Sequence, residues 1–180
     1  LMMPAKHPIS PKHEPILQKD REETFEMAKD INDDSEYITL APNSVKLIWP
    51  VKSAREEQFK YDVVSVYMDH DDKIGSVKDY NCGKQSYDLP NGYNHLGTDI
   101  MPWPFSWVLM GREIITVISA ADGIIVGKSD GNYDKNCDIN SNGDANNISI
   151  MHKDGSITMY YHLANGSLTN KSIGEEVKQG

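Results

Sequence analysis

An antiparallel all-β domain is the fold class the sequence predicts, on three observations. Short β-rich runs recur from residue 45 onward, turns rich in Gly, Asn and Asp separate them, and helix signals are nearly absent after residue 43. Residues 45–49, Val-Lys-Leu-Ile-Trp, form the first run and stop at Pro50. Residues 61–68, Tyr-Asp-Val-Val-Ser-Val-Tyr-Met, form the second and stop at the acidic cluster Asp69-His70-Asp71-Asp72. Runs 113–118 and 123–126 flank the turn Ala120-Ala121-Asp122-Gly123. Runs 147–151 and 156–161 are joined across Lys153-Asp154-Gly155, where Asp-Gly supplies the positive φ that short hairpins need.

Residues 1–43 read differently. Pro4, Pro8, Pro11 and Pro15 make the first stretch extended or turn-like. Residues 17–31 then suggest a short charged helix, although Leu17, Phe25, Met27 and Ile31 make no clean apolar stripe. Asp33-Asp34 falls in a turn. The segment reads either as a partly helical arm, linker or pro-segment remnant, or as a surface helix with no role. The domain proper is expected over residues 44–180.

Composition bounds the function. The 180 residues suit one domain with an arm. Eighteen basic against 27 acidic residues, net −9, disfavour nucleic acid and anionic membrane surfaces as main partners, because both need clustered Lys and Arg. No apolar run reaches spanning length; the best, residues 114–126, is broken by Thr116, Ser119 and Asp122. No basic flank followed by an apolar stretch marks a signal peptide at Leu1, so a leader would have been removed or lie upstream. Cys82 and Cys137, 55 residues apart, are too few for a disulfide scaffold. A single bridge between them would be worth about 4 kcal/mol of loop closure in an oxidising compartment. Two unrelated thiols are the alternative.

Among six histidines, His7 and His13 read as solvated arm residues, His70 as a surface ion-pair partner, and His152 as structural at the end of a strand. His95 and Asp99 stand apart, in Tyr93-Asn94-His95-Leu96-Gly97-Thr98-Asp99. Imidazole and carboxylate both suit Zn²⁺. Pro90, Asn91, Gly92 and Gly97 preclude a helix here, so the two side chains would have to converge through a bent strand or loop. The two side chains are expected within about 4 Å of each other, as ligands of one ion must be. His162 follows the aromatic strand end Tyr160-Tyr161, and a rigid element of that kind positions a proton-transfer group; a hairpin histidine packing against tyrosine is the alternative.

Four motifs in order resemble the lysostaphin/LytM-like zinc metallopeptidases, which carry the duplicated hybrid motif. They are the His-x-x-x-Asp run at residues 92–100, the small-residue turn at 120–125, the hairpin at 148–163 and the turn and strand at 173–180. The resemblance covers about residues 45–180. It implies an antiparallel, barrel-sandwich-like metallopeptidase domain with Zn²⁺ held by His95 and Asp99 and with His162 catalytic. It also implies a third zinc ligand and a second catalytic histidine in a His-x-His motif beyond Gly180. A C-terminal segment or second chain is therefore expected to complete the site. The implied activity is metalloendopeptidase cleavage of peptidoglycan cross-links or glycine-rich extracellular proteins, outside the cell or in the periplasm. Tyr93, Trp103, Phe105 and Trp107 are candidates for a substrate groove, although the run 102–107 reads first as a rigid packed loop.

A Ca²⁺ loop is a further candidate. Asp138, Asn140, Asn142, Asp144 and Asn146 alternate, with Gly143 sixth, but Ser149 stands where a bidentate glutamate belongs. A polar hairpin loop explains the same residues. The alternatives to an enzyme are a non-catalytic secreted β module binding wall peptide or a partner protein, and a calcium-stabilised adhesion module.

Overall fold

The computed structural model describes residues 22–24, 26, 44–55, 61–68, 95, 97–136 and 144–180. The architecture is all-β and antiparallel. Two-stranded ribbons pair β1 (Val51–Ser53) with β4 (Ile115–Val117), and β2 (Asp62–Val66) with β3 (Asp99–Pro102). A four-stranded sheet has the order β7-β6-β5-β8, built from β5 (Gly123–Ser129), β6 (Asn147–Met151), β7 (Ile157–Tyr160) and β8 (Glu176–Val177). Among the described residues the strands do not close into a barrel.

The four-stranded sheet is the best-packed part, and its core pairs strand with strand. Ile125 and Val126 are wholly buried on β5, Ile150 and Met151 are buried on β6, and Ile157 on β7 packs against Val126 and Met151. Such a buried strand pair gathers apolar residues on both faces. Gly123 opens β5 because nothing larger fits. A Cβ there would run into the Met151 main-chain oxygen and come within 2.6 Å of Ile150 Cγ2. The β6–β7 hairpin turns as expected at Asp154-Gly155. Gly155 takes φ +80°, and Asp154 Oδ1 accepts from both Ser156 N and Ser156 Oγ. β8 closes the other edge through Gly123↔Val177 and Ile124↔Glu176.

Three sequence expectations need correction. Residues 44–49 are not a strand. Their ties are individual: Val45 N donates to Asp154 Oδ2, Ile48 N to Ala120 O, and Trp49 Nε1 to Asp62 Oδ2. Pairing starts only after Pro50, which has no N–H to give a ladder. Second, helix signals, nearly absent from the sequence after residue 43, do not place α1 (Ser106–Gly111), a short helix that buries Leu109 alone among its residues. One apolar anchor leaves no helical period to read. Third, the run 102–107 is not packed. Trp103, Phe105 and Trp107 are exposed at 37, 58 and 56%.

Within the expected helix 17–31, Glu22, Glu23, Thr24 and Glu26 are helical. Thr24 is buried, with its hydroxyl 3.5 Å from where a Cβ on Gly127 would stand, so this helical turn lies against β5. His7, His13, His70, Cys82, Tyr93, Cys137 and residues 138–143 of the candidate calcium loop lie outside the described residues, and the proposed disulfide with them.

Candidate metal centre

The β2–β3 ribbon builds the His95–Asp99 pair. Its register runs Asp62↔Pro102, Val63↔Met101 and Val64↔Ile100, then skips to Val66↔Asp99, leaving Ser65 as the extra residue of a β-bulge. Bulges bend a strand and re-aim the side chain opposite. Here the residue re-aimed is Asp99, whose carbonyl accepts from Ser65 Oγ at 3.4 Å. One residue past the end of β2, the Tyr67 carbonyl receives His95 Nδ1 at 3.1 Å.

That contact decides the tautomer. A carbonyl oxygen only accepts, so Nδ1 carries the proton and, in the neutral ring, Nε2 presents a lone pair. His95 is almost wholly buried, at 1% exposure, whereas Asp99 retains 28%. His95 Nε2 stands 3.4 Å from Asp99 Oδ1. The approach expected from the sequence is thus present. A proton or a metal cation between two such groups relieves the repulsion of their lone pairs.

The separation is compatible with a cation between the two groups. A proton shared between imidazolium and carboxylate draws the heavy atoms to about 2.7–2.9 Å. Two donors each about 2.0–2.2 Å from a tetrahedral zinc stand about 3.3–3.6 Å apart, by the geometry of the tetrahedron. The observed 3.4 Å matches the edge of such a tetrahedron and is long for a charge-assisted hydrogen bond. The donors, one imidazole nitrogen and one carboxylate oxygen, fit Zn²⁺ chemically as well. The Nδ1–H to carbonyl contact is the outer support that zinc-binding histidines ordinarily have. Among the described residues no group of three His, Cys, Asp or Glu side chains stands together as a metal cage.

His162 lies past the end of β7. It is exposed and holds φ +58°, in the left-handed region unusual for a residue with a Cβ. It does not join His95 and Asp99 as a third donor. His152, by contrast, is sealed into the hairpin. Its Nδ1 donates to the Asp122 carbonyl at 2.8 Å and its Nε2 meets Thr158 Oγ1 at 2.9 Å. Thr158 Oγ1 lies 3.1 Å from the Tyr160 hydroxyl, which accepts Ala120 N–H at 2.8 Å. Both ring nitrogens are thereby engaged, and the structural reading of His152 holds.

The turn beside His152 is pinned by charge. Gln179 N and Lys178 Nζ both donate to the Asp122 carboxylate, and these bonds, Gln179 first, hold its pKa below the usual value. Asp130 is lowered likewise, by Gly166 N–H and then Gly131 N–H. Asn146, read from the sequence as a loop residue or calcium ligand, is buried. Its Oδ1 accepts from Asn132 N, and its Nδ2 donates to Asn132 O and Leu163 O. Sequence reasoning missed this residue, because its partners lie 14 and 17 positions away.

No family model matches the chain, and no curated protein and no solved structure matches it. Among the described residues, no helix is long and apolar enough to cross a membrane.

Proposed function

We propose that the protein is a zinc-dependent metalloendopeptidase that cleaves peptide cross-links of peptidoglycan or glycine-rich extracellular proteins. The observation that carries the reading is the 3.4 Å separation of His95 Nε2 and Asp99 Oδ1, with Nδ1 held by the Tyr67 carbonyl. The four-motif resemblance to lysostaphin/LytM-like peptidases supports it and supplies the substrate class. His95 and Asp99 are the residues that would hold the ion. A third donor would come from a C-terminal segment or a second chain.

Bound zinc supplies Lewis-acid polarisation of a carbonyl and a lowered pKa for water. The chain's own residues do the rest. Tyr67 and the Ser65 bulge fix the two donors before substrate arrives, so no reorganisation is needed at the moment of reaction. His162 is assigned proton transfer through its imidazole, on a ring exposed to solvent. Trp103, Phe105 and Trp107 follow directly on the strand that carries Asp99. Their exposure favours the substrate-groove reading over the packed loop. Placement outside the cell or in the periplasm belongs to the same proposal, as does the absence of nucleic acid among its partners.

The test is zinc stoichiometry and peptide hydrolysis by the complete protein. One zinc per chain and cleavage of cross-linked wall peptide or an oligoglycine peptide are expected, both lost in His95→Ala. Zinc content unchanged in His95→Ala would remove the assignment. A metal-free protein that binds wall peptide without cleaving it would establish the non-catalytic module instead.

A further inference from the structure

We propose that Asn146 is the positioning residue for His162, setting the backbone that presents the imidazole. The inference rests on the catalytic reading of His162 given above. Two ties to β6 bracket this histidine. On its N-terminal side Tyr160 pairs with Ile148 in the β6–β7 ladder. On its C-terminal side Leu163 is held twice by Asn146. Leu163 N donates to the Asn146 carbonyl at 3.1 Å, and Asn146 Nδ2 donates to the Leu163 carbonyl at 3.1 Å. Between these clamps the chain has only Tyr161 and His162 in which to turn. The left-handed φ of +58° falls at His162 itself.

The amide is committed to this task. Asn146 is 2% exposed, and its other Nδ2 proton and its Oδ1 grip Asn132 O and Asn132 N at 2.9 and 2.8 Å. One side chain thus ties the loop after β5 to the loop after β7. Asp130 and Asp134 tie the same two loops further out, accepting from Gly166 N at 2.8 Å and Asn165 N at 2.7 Å. Asp130 is exposed and Asp134 half-buried, and the residues they hold, Gly166 and Asn165, lie beyond Leu163. Asn146 is buried and holds Leu163, the residue that follows His162. A polar group buried with every donor used is costly to mismatch, so the grip is specific for an amide. Aspartate has the same shape but would face the Leu163 and Asn132 carbonyls with oxygen in place of N–H.

The experiment compares Asn146→Ala, Asn146→Asp and His162→Ala in the complete, zinc-loaded protein. Both Asn146 variants should lower kcat about 100-fold, the effect of a misplacement near 1 Å, with KM and zinc content unchanged. In the metal-free protein, loss of the Nδ2 bond should speed amide exchange at Leu163 roughly tenfold and shift the His162 ring resonances. The His152 resonances should stay in place. Wild-type kcat and unchanged Leu163 exchange in both Asn146 variants would overturn the proposal. Loss of kcat, KM and zinc together with cooperative melting in both variants would also overturn it, in favour of a purely structural role. If His162→Ala leaves turnover intact, the catalytic reading of His162 fails on its own, and the exchange and ring-resonance measurements still decide whether Asn146 positions it.

Discussion

His95 and His152 sit in different parts of the molecule and begin from the same local arrangement. Each is buried, and each points Nδ1 at a main-chain carbonyl, of Tyr67 in one case and Asp122 in the other. The difference lies at Nε2. In the hairpin it meets the neutral hydroxyl of Thr158, within a chain that continues to Tyr160 and the backbone of Ala120. In the ribbon it meets a carboxylate that is 28% exposed, at 3.4 Å. A carbonyl that fixes the tautomer is common to structural and ligating histidines. What the second nitrogen faces separates them. A hydroxyl can supply the proton that Nε2 needs, whereas an ionised carboxylate cannot, and it is on this difference that the proposed zinc site rests.

Substitutions at the two sites should therefore fail in opposite ways. His95→Ala and Asp99→Ala should abolish zinc retention in the complete protein and lower turnover about 1,000-fold or more, since several kcal/mol of transition-state stabilisation are at stake. Metal analysis and steady-state kinetics check this, and cooperative melting of the metal-free protein should persist. His152→Ala should do the reverse. It strands Thr158 and the Asp122 carbonyl and leaves a cavity, costing about 2–4 kcal/mol in chemical denaturation while zinc content stays at the wild-type value. Zinc loss in His152→Ala without loss of stability would erase the contrast.

Two smaller effects sharpen it on the hairpin side. Gly123→Ala places a methyl against Ile150 and the Met151 carbonyl and should cost about 1–3 kcal/mol, again without touching metal content. Asp154 gives a pH signature. Ser156 Oγ and then Val45 N–H donate to its carboxylate and hold its pKa at about 2, below the ordinary 3.8. A lowered folded-state pKa contributes stability that is complete above pH 3.8 and fades as pH falls through about 2. Asp154→Asn should therefore lower the melting temperature at neutral pH, a stability loss of no more than about 1 kcal/mol at so open a site, and make no difference below pH 2. Melting curves across that range check the sign.

The same two regions differ in how much the sequence discloses. The hairpin was legible because each of its parts is local. Alternating apolar residues, an Asp-Gly turn and β-branched runs all lie within residues 147–160, and the structure pairs them as expected. The closeness of His95 and Asp99 was legible from their spacing and from Gly97. The Ser65 bulge and the Tyr67 carbonyl were not, since both act from a strand some 30 residues earlier. α1 escaped notice because Leu109 alone anchors it. Asn146 was read as a turn former because asparagine in a polar run ordinarily is one, and its burial depends on Asn132 and Leu163 arriving from elsewhere. Residues 44–49 carry the composition of a strand, yet single tertiary bonds hold them outside any ladder.

The most direct test is ring-nitrogen NMR of the histidines while zinc, and then isotopically enriched cadmium, is added to the metal-free protein. The account predicts that His95 begins with a proton on Nδ1 and none on Nε2. On metal addition the Nε2 resonance should shift and couple to cadmium, while His152 does not respond. A His95 ring already protonated on both nitrogens at neutral pH, and indifferent to either metal, would make the pair an ordinary ion pair and contradict the account.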